Sequence, residues 1–107
     1  MMQRLEKMSK QELETKLAKG QYVLFFTADW CPDCVFIKPE MPSLEEEFSD
    51  FTFLLVDRDE NLELCQELMI MGIPSFVVYR DGQEIDRYVN KERKTKQQVQ
   101  AFLNNVK

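Results

Sequence analysis

Two cysteines with two residues between them are the strongest chemical signal in this sequence. Cys31 and Cys34 follow Trp30 in the run Trp-Cys-Pro-Asp-Cys. One turn of helix keeps such a pair within the Cα separation of about 4.4–6.8 Å that a disulfide accepts, so the bond can open and close without backbone rearrangement. The spacing predicts thiol–disulfide exchange, in which Cys31 attacks a substrate disulfide and Cys34 then displaces the reduced product from the mixed disulfide.

The surroundings of the pair indicate which cysteine attacks. An apolar run at residues 22–26 predicts a buried strand before the motif, and the apolar spacing after it predicts a helix. With Cys31 as the N-cap, Pro32 is the first helical residue and the amide of Cys34 points back at the Cys31 sulfur. Free amides and the helix dipole stabilise a thiolate there, so we expect Cys31 to be the nucleophile.

The composition excludes several other chemistries. The chain has no histidine, which removes Ser-His-Asp triads, Cys-His proteases and His-containing zinc sites. A zinc site would need carboxylates beside the three cysteines, and we predict no metal and no cofactor. A net charge of -5 argues against binding to a nucleic-acid backbone. Cys65, on the apolar stripe of a helix, is predicted to be a core residue.

The length of the chain and its first seven residues predict its domain organisation and its cellular compartment. With 107 residues, the chain is predicted to form one compact domain over residues 1–107. Residues 1–7 are mixed and charged, without the apolar stretch of a signal peptide, and no run approaches the roughly 20 apolar residues of a membrane span. We therefore expect a cytoplasmic monomer with no membrane partner, in a compartment where a close cysteine pair is more often catalytic than structural.

The predicted elements alternate in a way that fixes the fold class. A βαβ half followed by a ββα half predicts an α/β fold, a central mixed β-sheet flanked by helices on both faces. Whether residues 3–7 add an edge strand stays open. The expected elements are a helix at about 10–19, a strand at 22–26, a helix from 31 kinked by Pro39 and Pro42, a strand at 51–56, a helix at 59–71, strands at 75–80 and 84–89 joined by Asp81-Gly82, and a helix capped by Thr95.

Taken together, these motifs resemble the thioredoxin family over nearly the whole chain. The resemblance implies a thioredoxin fold, a cis peptide bond at Ile73-Pro74 facing the cysteines, and substrate docking along the Ile73 backbone. It also implies a disulfide-containing protein or small molecule as substrate, and a thioredoxin reductase or other thiol reductant as electron donor. The matching residues are the motif at 28–34, Pro39, Asp57, Gly72-Ile73-Pro74 and Asp81-Gly82.

The departures from the family concern proton transfer. Pro32-Asp33 stands where Gly-Pro is usual, as in a thioredoxin-related subgroup with narrower substrate choice, and Phe25 and Phe53 stand where the family has a buried Asp and its Lys partner. Asp33 is then either a first-turn acid favoured by the helix dipole or the proton acceptor for Cys34. Both interpretations stay open. A further departure follows the last strand, where the family has Val-Gly and this sequence has Val89-Asn90.

Some roles keep two interpretations. Trp30 is expected to shield the Cys31 sulfur and to offer substrate a flat contact rather than only to pack. Residues 91–96, with four basic side chains, are interpreted as a solvated turn or a surface that steers an acidic partner.

Two functions other than a dithiol reductant remain: a redox-sensing binding module on the same fold, and a glutaredoxin-like reductase that uses Cys31 with glutathione.

Overall fold

A five-stranded mixed sheet forms the centre of the computed structural model, which describes residues 2–107. Its strand order is β1-β3-β2-β4-β5; β1, β2 and β3 run parallel, while β4 is antiparallel to both β2 and β5. The mixed sheet expected from the sequence is thus confirmed. The strands are β1 (Gln3–Arg4), β2 (Gln21–Thr27), β3 (Thr52–Asp57), β4 (Ser75–Arg80) and β5 (Gln83–Tyr88).

Within residues 2–107, five helices cover the sheet, and two of them begin at side-chain caps visible in the sequence. Ser9 and Thr95 each accept a hydrogen bond from the amide three residues on, and the side chain of that residue bonds the cap's own amide in return. These reciprocal bonds satisfy amides that the helix cannot pair. The helices are α1 (Lys10–Lys16), α2 (Pro32–Ile37), α3 (Met41–Glu47), α4 (Leu62–Glu67) and α5 (Lys96–Val106).

The central strand β2 divides the core into two layers. Leu24 and Phe26 belong to a cluster that contains residues of α1 and α4, whereas Val23 and Phe25 belong to one built with α2, α3 and α5. Alternate side chains of a strand point to opposite faces, so an uninterrupted apolar run must be covered on both. The helices on both faces are therefore confirmed, and the end of β2 is rigidly held.

The predicted kink after the cysteines is present. A 3-10 turn at Lys38–Glu40, with Pro39 in its first turn, separates α2 from α3, and Pro42 lies in the first turn of α3. Each proline lacks an amide hydrogen and cannot continue an α-helical ladder, but it is well tolerated in a first turn. The 3-10 turn therefore ends α2 at Ile37 and keeps this helix short.

Two predicted helices are shorter in the structure. The helix expected at residues 59–71 extends only over Leu62–Glu67, because Asp57 Oδ1 accepts the amides of Asp59 and Glu60 in a turn and Met69 takes a φ of 57°. The first helix ends at Lys16 rather than near residue 19, before Gly20 with a φ of 99°. Met69 directly follows Leu68, the C-cap of α4, and its positive φ ends that right-handed helix.

The sheet has a short edge strand on one side and a tight hairpin turn on the other. The edge strand left undecided in the sequence exists, but only as Gln3 and Arg4 paired with Leu54 and Leu55. The β4–β5 hairpin turns at Asp81-Gly82, whose φ values of 52° and 83° are typical of a type I′ turn, which matches the right-handed twist of the two strands. Within residues 2–107, no helix has the length and apolar character needed to cross a membrane.

Candidate active site

Cys31 lies where the chain leaves β2 and enters α2, and it is the N-cap of that helix. Its φ and ψ are −91° and 111°, Pro32 follows in the first turn, and Cys31 Sγ accepts a hydrogen bond from the amide of Cys34 at 3.2 Å. The motif predicts this arrangement. The N–H of Cys34 places its partial positive charge next to the Cys31 sulfur, where it favours negative charge on that atom.

The two sulfurs differ in burial and in charge stabilisation. The Cys31 residue is 5% exposed at the groove, whereas Cys34 is completely buried; both are free thiols. Burial is the main cause that raises the pKa of Cys34 to about 11, a hydrogen bond with Cys31 raises it further, and a hydrogen bond from the Thr27 hydroxyl acts in the opposite direction. At neutral pH Cys34 is therefore held as the protonated thiol.

The Ile73-Pro74 segment faces the cysteines, as the resemblance implies. The peptide bond between these residues is cis, and the Ile73 carbonyl oxygen lies 3.9 Å from Cys31 Sγ. A groove of about 460 Å³ opens beside Cys31 on this side. It is lined by Trp30, Cys31, Asp33, Arg58, Ile70, Met71, Gly72, Ile73 and Lys91.

Trp30 forms one wall of this groove. Its side chain is 61% exposed, yet its orientation is held because Nε1 donates a hydrogen bond to Asp59 Oδ2 at 2.7 Å. The Arg58 guanidinium lies 5.9 Å from the centre of the Trp30 ring, on the same turn as Asp59. The predicted flat contact surface is thus supported by two residues that the sequence analysis did not single out.

Asp33 pairs with a distant arginine. Its Oδ1 accepts a hydrogen bond from Arg93 Nε at 2.8 Å, and the Arg93 guanidinium lies 4.4 Å from the centre of the Phe36 ring, one turn along α2. Among residues 2–107, Asp33 makes no hydrogen bond to either cysteine sulfur. Because its Oδ1 bonds Arg93 and neither cysteine sulfur, this geometry does not favour Asp33 as the proton acceptor for Cys34.

The segment after β5 is not simply a solvated turn, and that prediction is wrong for Lys94. Lys94 is completely buried, and its Nζ donates hydrogen bonds to Asn90 Oδ1 at 2.7 Å, to the Glu92 carbonyl at 2.8 Å and to the Asn90 carbonyl at 3.3 Å. Burial lowers the pKa of Lys94, while the charges of Glu92 and Cys34 act against that effect. Three oxygen partners satisfy the ammonium, which is what a buried charge requires.

Phe25 and Phe53 lie in the apolar layer that contains α2, α3 and α5. Phe25 stacks on Phe76 with ring centres 5.2 Å apart and an interplanar angle of 18°. Both positions where the family has its charged pair are therefore apolar, so no buried charge is left without a partner. Cys34 consequently has no carboxylate from β2 as a proton acceptor.

Cys65 is buried on α4, as the sequence predicts for a core residue. Burial is the main cause that raises the pKa of its thiol to about 11, which keeps it protonated and unreactive at neutral pH. In the part of the chain from residue 2 to 107, no group of three or more His, Cys, Asp or Glu side chains is arranged to hold a metal ion.

A pair of cysteines at the start of a helix, directly after a central strand and opposite a cis proline, is an arrangement suited to dithiol–disulfide exchange. Comparison with known proteins gives the family. The family model described as Thioredoxin matches residues 4–105, and the chain belongs to the thioredoxin family. Members of this family are dithiol–disulfide oxidoreductases.

Individual relatives agree with this assignment. The chain is similar to thioredoxin H5 of Arabidopsis thaliana, with 38% identity over 67% of this chain and 61% of that protein. It is also similar to mitochondrial thioredoxin-2 of Schizosaccharomyces pombe, with 36% identity over 68% and 55%. The chain thus spans less than two thirds of the length of either. The structure of Fasciola hepatica thioredoxin superimposes with a TM-score of 0.81 and 28% identity, over 99% of this chain and all of that one.

Proposed function

We propose that this protein reduces disulfide bonds, with Cys31 as nucleophile and Cys34 as resolving thiol. The observation that carries the proposal is the contrast within the pair: Cys31 Sγ lies at the groove and accepts the Cys34 amide at 3.2 Å, while the Cys34 sulfur is buried and protonated. One sulfur is thus prepared for attack and the other is held back until the first has reacted.

The exchange proceeds in two displacements. The Cys31 thiolate attacks one sulfur of the substrate disulfide, an S–S bond forms between them, and the second substrate sulfur leaves as a thiolate that takes a proton from water. Cys34 then loses its proton to solvent and attacks Cys31 Sγ, which closes the Cys31–Cys34 disulfide and releases the first substrate sulfur. Two electrons pass to the substrate, and a thioredoxin reductase or another thiol reductant returns the pair to the dithiol.

The groove beside Cys31 supplies the docking surface. Trp30 offers an exposed flat face, and the Ile73 carbonyl, 3.9 Å from the nucleophilic sulfur, can accept a hydrogen bond from an extended peptide backbone. Pro74 has no amide hydrogen, so it adds no hydrogen-bond donor beside Cys31 Sγ. Pro32 starts α2 with the φ that the helix requires. Disulfides in proteins or small molecules fit this open groove.

We infer that the cysteine pair works as a reductant in the cytoplasm. The three cysteines are free, and none is placed as a structural crosslink. A dithiol that works as a reductant must be kept reduced, as in the cytoplasm. Relatives include a mitochondrial thioredoxin, so the family alone does not assign the compartment. A redox titration decides the direction: a potential near the thioredoxin value of about -270 mV supports a reductant, and one near -120 mV contradicts it.

Reduction of insulin with dithiothreitol as electron source tests the proposal. We expect the wild type to accelerate precipitation of the insulin B chain, Cys31→Ser to lose this activity, and Cys65→Ser to retain it as the matched control. Cys34→Ser should accumulate the mixed disulfide with substrate. A wild type without activity on insulin and on small disulfides contradicts the proposal.

The same variants separate the alternatives. A glutaredoxin-like enzyme would keep glutathione-dependent turnover in Cys34→Ser, because it needs only the nucleophile. A binding module would still capture its partner when both Cys31 and Cys34 are serine. Neither outcome is expected here, since the buried Cys34 thiol adjoins the nucleophile and has a direct role in the proposed second displacement.

A further inference from the structure

The segment that follows β5 reaches across to the N-terminus of α2, 60 positions away from Asp33 in the sequence. Arg93 makes the contact in two ways: Nε bonds Asp33 Oδ1 at 2.8 Å, and the guanidinium lies 4.4 Å from the centre of the Phe36 ring. Asp33 and Phe36 are one turn apart on the same helix. A single arginine therefore contacts both Asp33, one of the two residues between the cysteines, and the next turn of their helix.

The backbone that presents Arg93 is itself held in place. The buried Lys94 ammonium gathers three oxygens of Asn90 and Glu92 around it, which folds residues 90–94 into a tight turn. This turn packs on Gly72, where an added Cβ would lie 2.5 Å from the Lys91 nitrogen. Because the turn is fixed at both places, Arg93 loses less conformational freedom on pairing than a flexible surface arginine would.

Asp33 would act against the nucleophile if it were unpaired. It lies between the cysteines in the first turn of α2, and its negative charge disfavours a second negative charge on Cys31. The other charged or titratable groups around Cys31 come from three places. They are Cys34 on the same helix, Arg58 and Asp59 on the turn after β3, and Lys91, Arg93 and Lys94 after β5. Only Arg93 forms an ion pair with Asp33 among residues 2–107.

We propose that Arg93 is a positioning residue of the exchange site: it pairs with Asp33 and so reduces the repulsion between the Asp33 carboxylate and negative charge on Cys31 Sγ. This inference deepens the proposed function and rests on it for its biological meaning. Arg93 does not touch the reacting sulfurs; it acts through Asp33. The side chains are 52% and 36% exposed, so solvent screens the pair and the expected effect is modest.

The test measures the rate of Cys31 alkylation by iodoacetamide against pH, with the modified residue identified by mass spectrometry. We expect Arg93→Gln to slow alkylation at pH 7 by about twofold to fivefold and to move the midpoint of the profile to higher pH. Asp33→Asn should move the midpoint in the opposite direction. Arg93→Lys, which keeps the charge but loses the planar group, should restore part of the wild-type rate.

Two comparisons decide whether Arg93 acts through Asp33. In the Asp33→Asn background, Arg93→Gln should change the rate by less than half of its effect in the wild type. An equal effect in both backgrounds overturns the proposal, as does an Arg93→Gln profile that matches Lys19→Gln, which removes an exposed positive charge beyond the opposite end of β2. Circular dichroism checks that each variant is folded. Alkylation needs no disulfide substrate, so it tests the coupling of Arg93 to Cys31 through Asp33 independently of the insulin assay. A failure in the insulin assay alone rejects the proposed function and not this coupling.

Discussion

Cys34 contributes to the site twice: its amide donates a hydrogen bond to Cys31 Sγ at 3.2 Å, while its own sulfur is buried behind the nucleophile. The amide favours charge on Cys31, and burial disfavours charge on Cys34. Local helix geometry thus separates the two steps of exchange, because the second thiol becomes a good nucleophile only after it has lost its proton.

The rate of the second displacement should rise with pH. Burial raises the pKa of Cys34 to about 11, so its thiolate is scarce at pH 7 and increases about tenfold for each pH unit up to that pKa. With a chromogenic aromatic disulfide as substrate, the protein should release two equivalents of thiolate in separate phases. We expect the second phase, measured by stopped flow, to accelerate about tenfold per unit between pH 7 and 9.

Cys34→Ser provides the control for this experiment, since it should show the first phase and lack the second. A second phase with a flat pH profile would contradict the prediction and indicate a dedicated base near Cys34.

Removal of the Asp59 carboxylate should weaken substrate docking without loss of the fold. Asp59→Ala deletes the acceptor that orients Trp30 at 2.7 Å. One hydrogen bond of this kind contributes about 1 kcal/mol, so kcat/KM for insulin reduction should fall by about fivefold. Glu63→Ala, an exposed acidic residue of α4, is the charge-matched control. Equal activities of the two variants would show that Trp30 needs no such support.

Gly72 is predicted to tolerate no side chain. An added Cβ would lie 2.5 Å from the Lys91 nitrogen and 2.6 Å from the Asn90 carbonyl carbon, both of them backbone atoms that cannot rotate away. Gly72→Ala should therefore lower the free energy of unfolding by at least about 2 kcal/mol in a urea titration. The neighbouring Met71→Ala, at a side chain 80% exposed, should remain within about 0.5 kcal/mol of wild type. A stable Gly72→Ala variant would mean that the segment after β5 can move.

Restoring the family's carboxylate at position 25 should be costly in this core. Phe25→Asp removes the stack on Phe76 and places a charge in an apolar layer, with an expected loss of about 3–5 kcal/mol in urea unfolding. Phe25→Leu, which keeps the site apolar, should lose less than about 2 kcal/mol. The double variant Phe25→Asp, Phe53→Lys should recover part of the loss. A single Phe25→Asp variant as stable as wild type would show that this layer can solvate a charge.

Local signals account for most of what the sequence predicted. The N-cap at Cys31, the caps at Ser9 and Thr95 and the turn at Asp81-Gly82 each depend on a few consecutive residues, and all are present. The sequence predicts too long a helix α4, because the apolar spacing of Leu62, Cys65 and Met69 continues past its C-terminal end. The side-chain bonds of Asp57 and the positive φ of Met69, which end the helix earlier, leave that spacing unchanged.

The long-range contacts that orient the side chains around the cysteines could not be predicted from local sequence signals. Arg93 meets Asp33 across 60 positions, and Trp30 meets Asp59 across 29. Such partners are set by how strands and loops converge at one end of the sheet. Lys94 was missed for a related reason: four basic residues in six are typical of an exposed turn, and only the folded backbone supplies the three oxygens that allow one of them to be buried.

The chain has one tryptophan, and it stands directly before the nucleophile on the groove wall. All indole emission of the protein therefore originates within one residue of the reacting sulfur. Oxidation of the pair, docking of a substrate or rupture of the bond to Asp59 would each change the surroundings of that single fluorophore. The protein carries its own optical reporter, and every step of its cycle can be followed without a label.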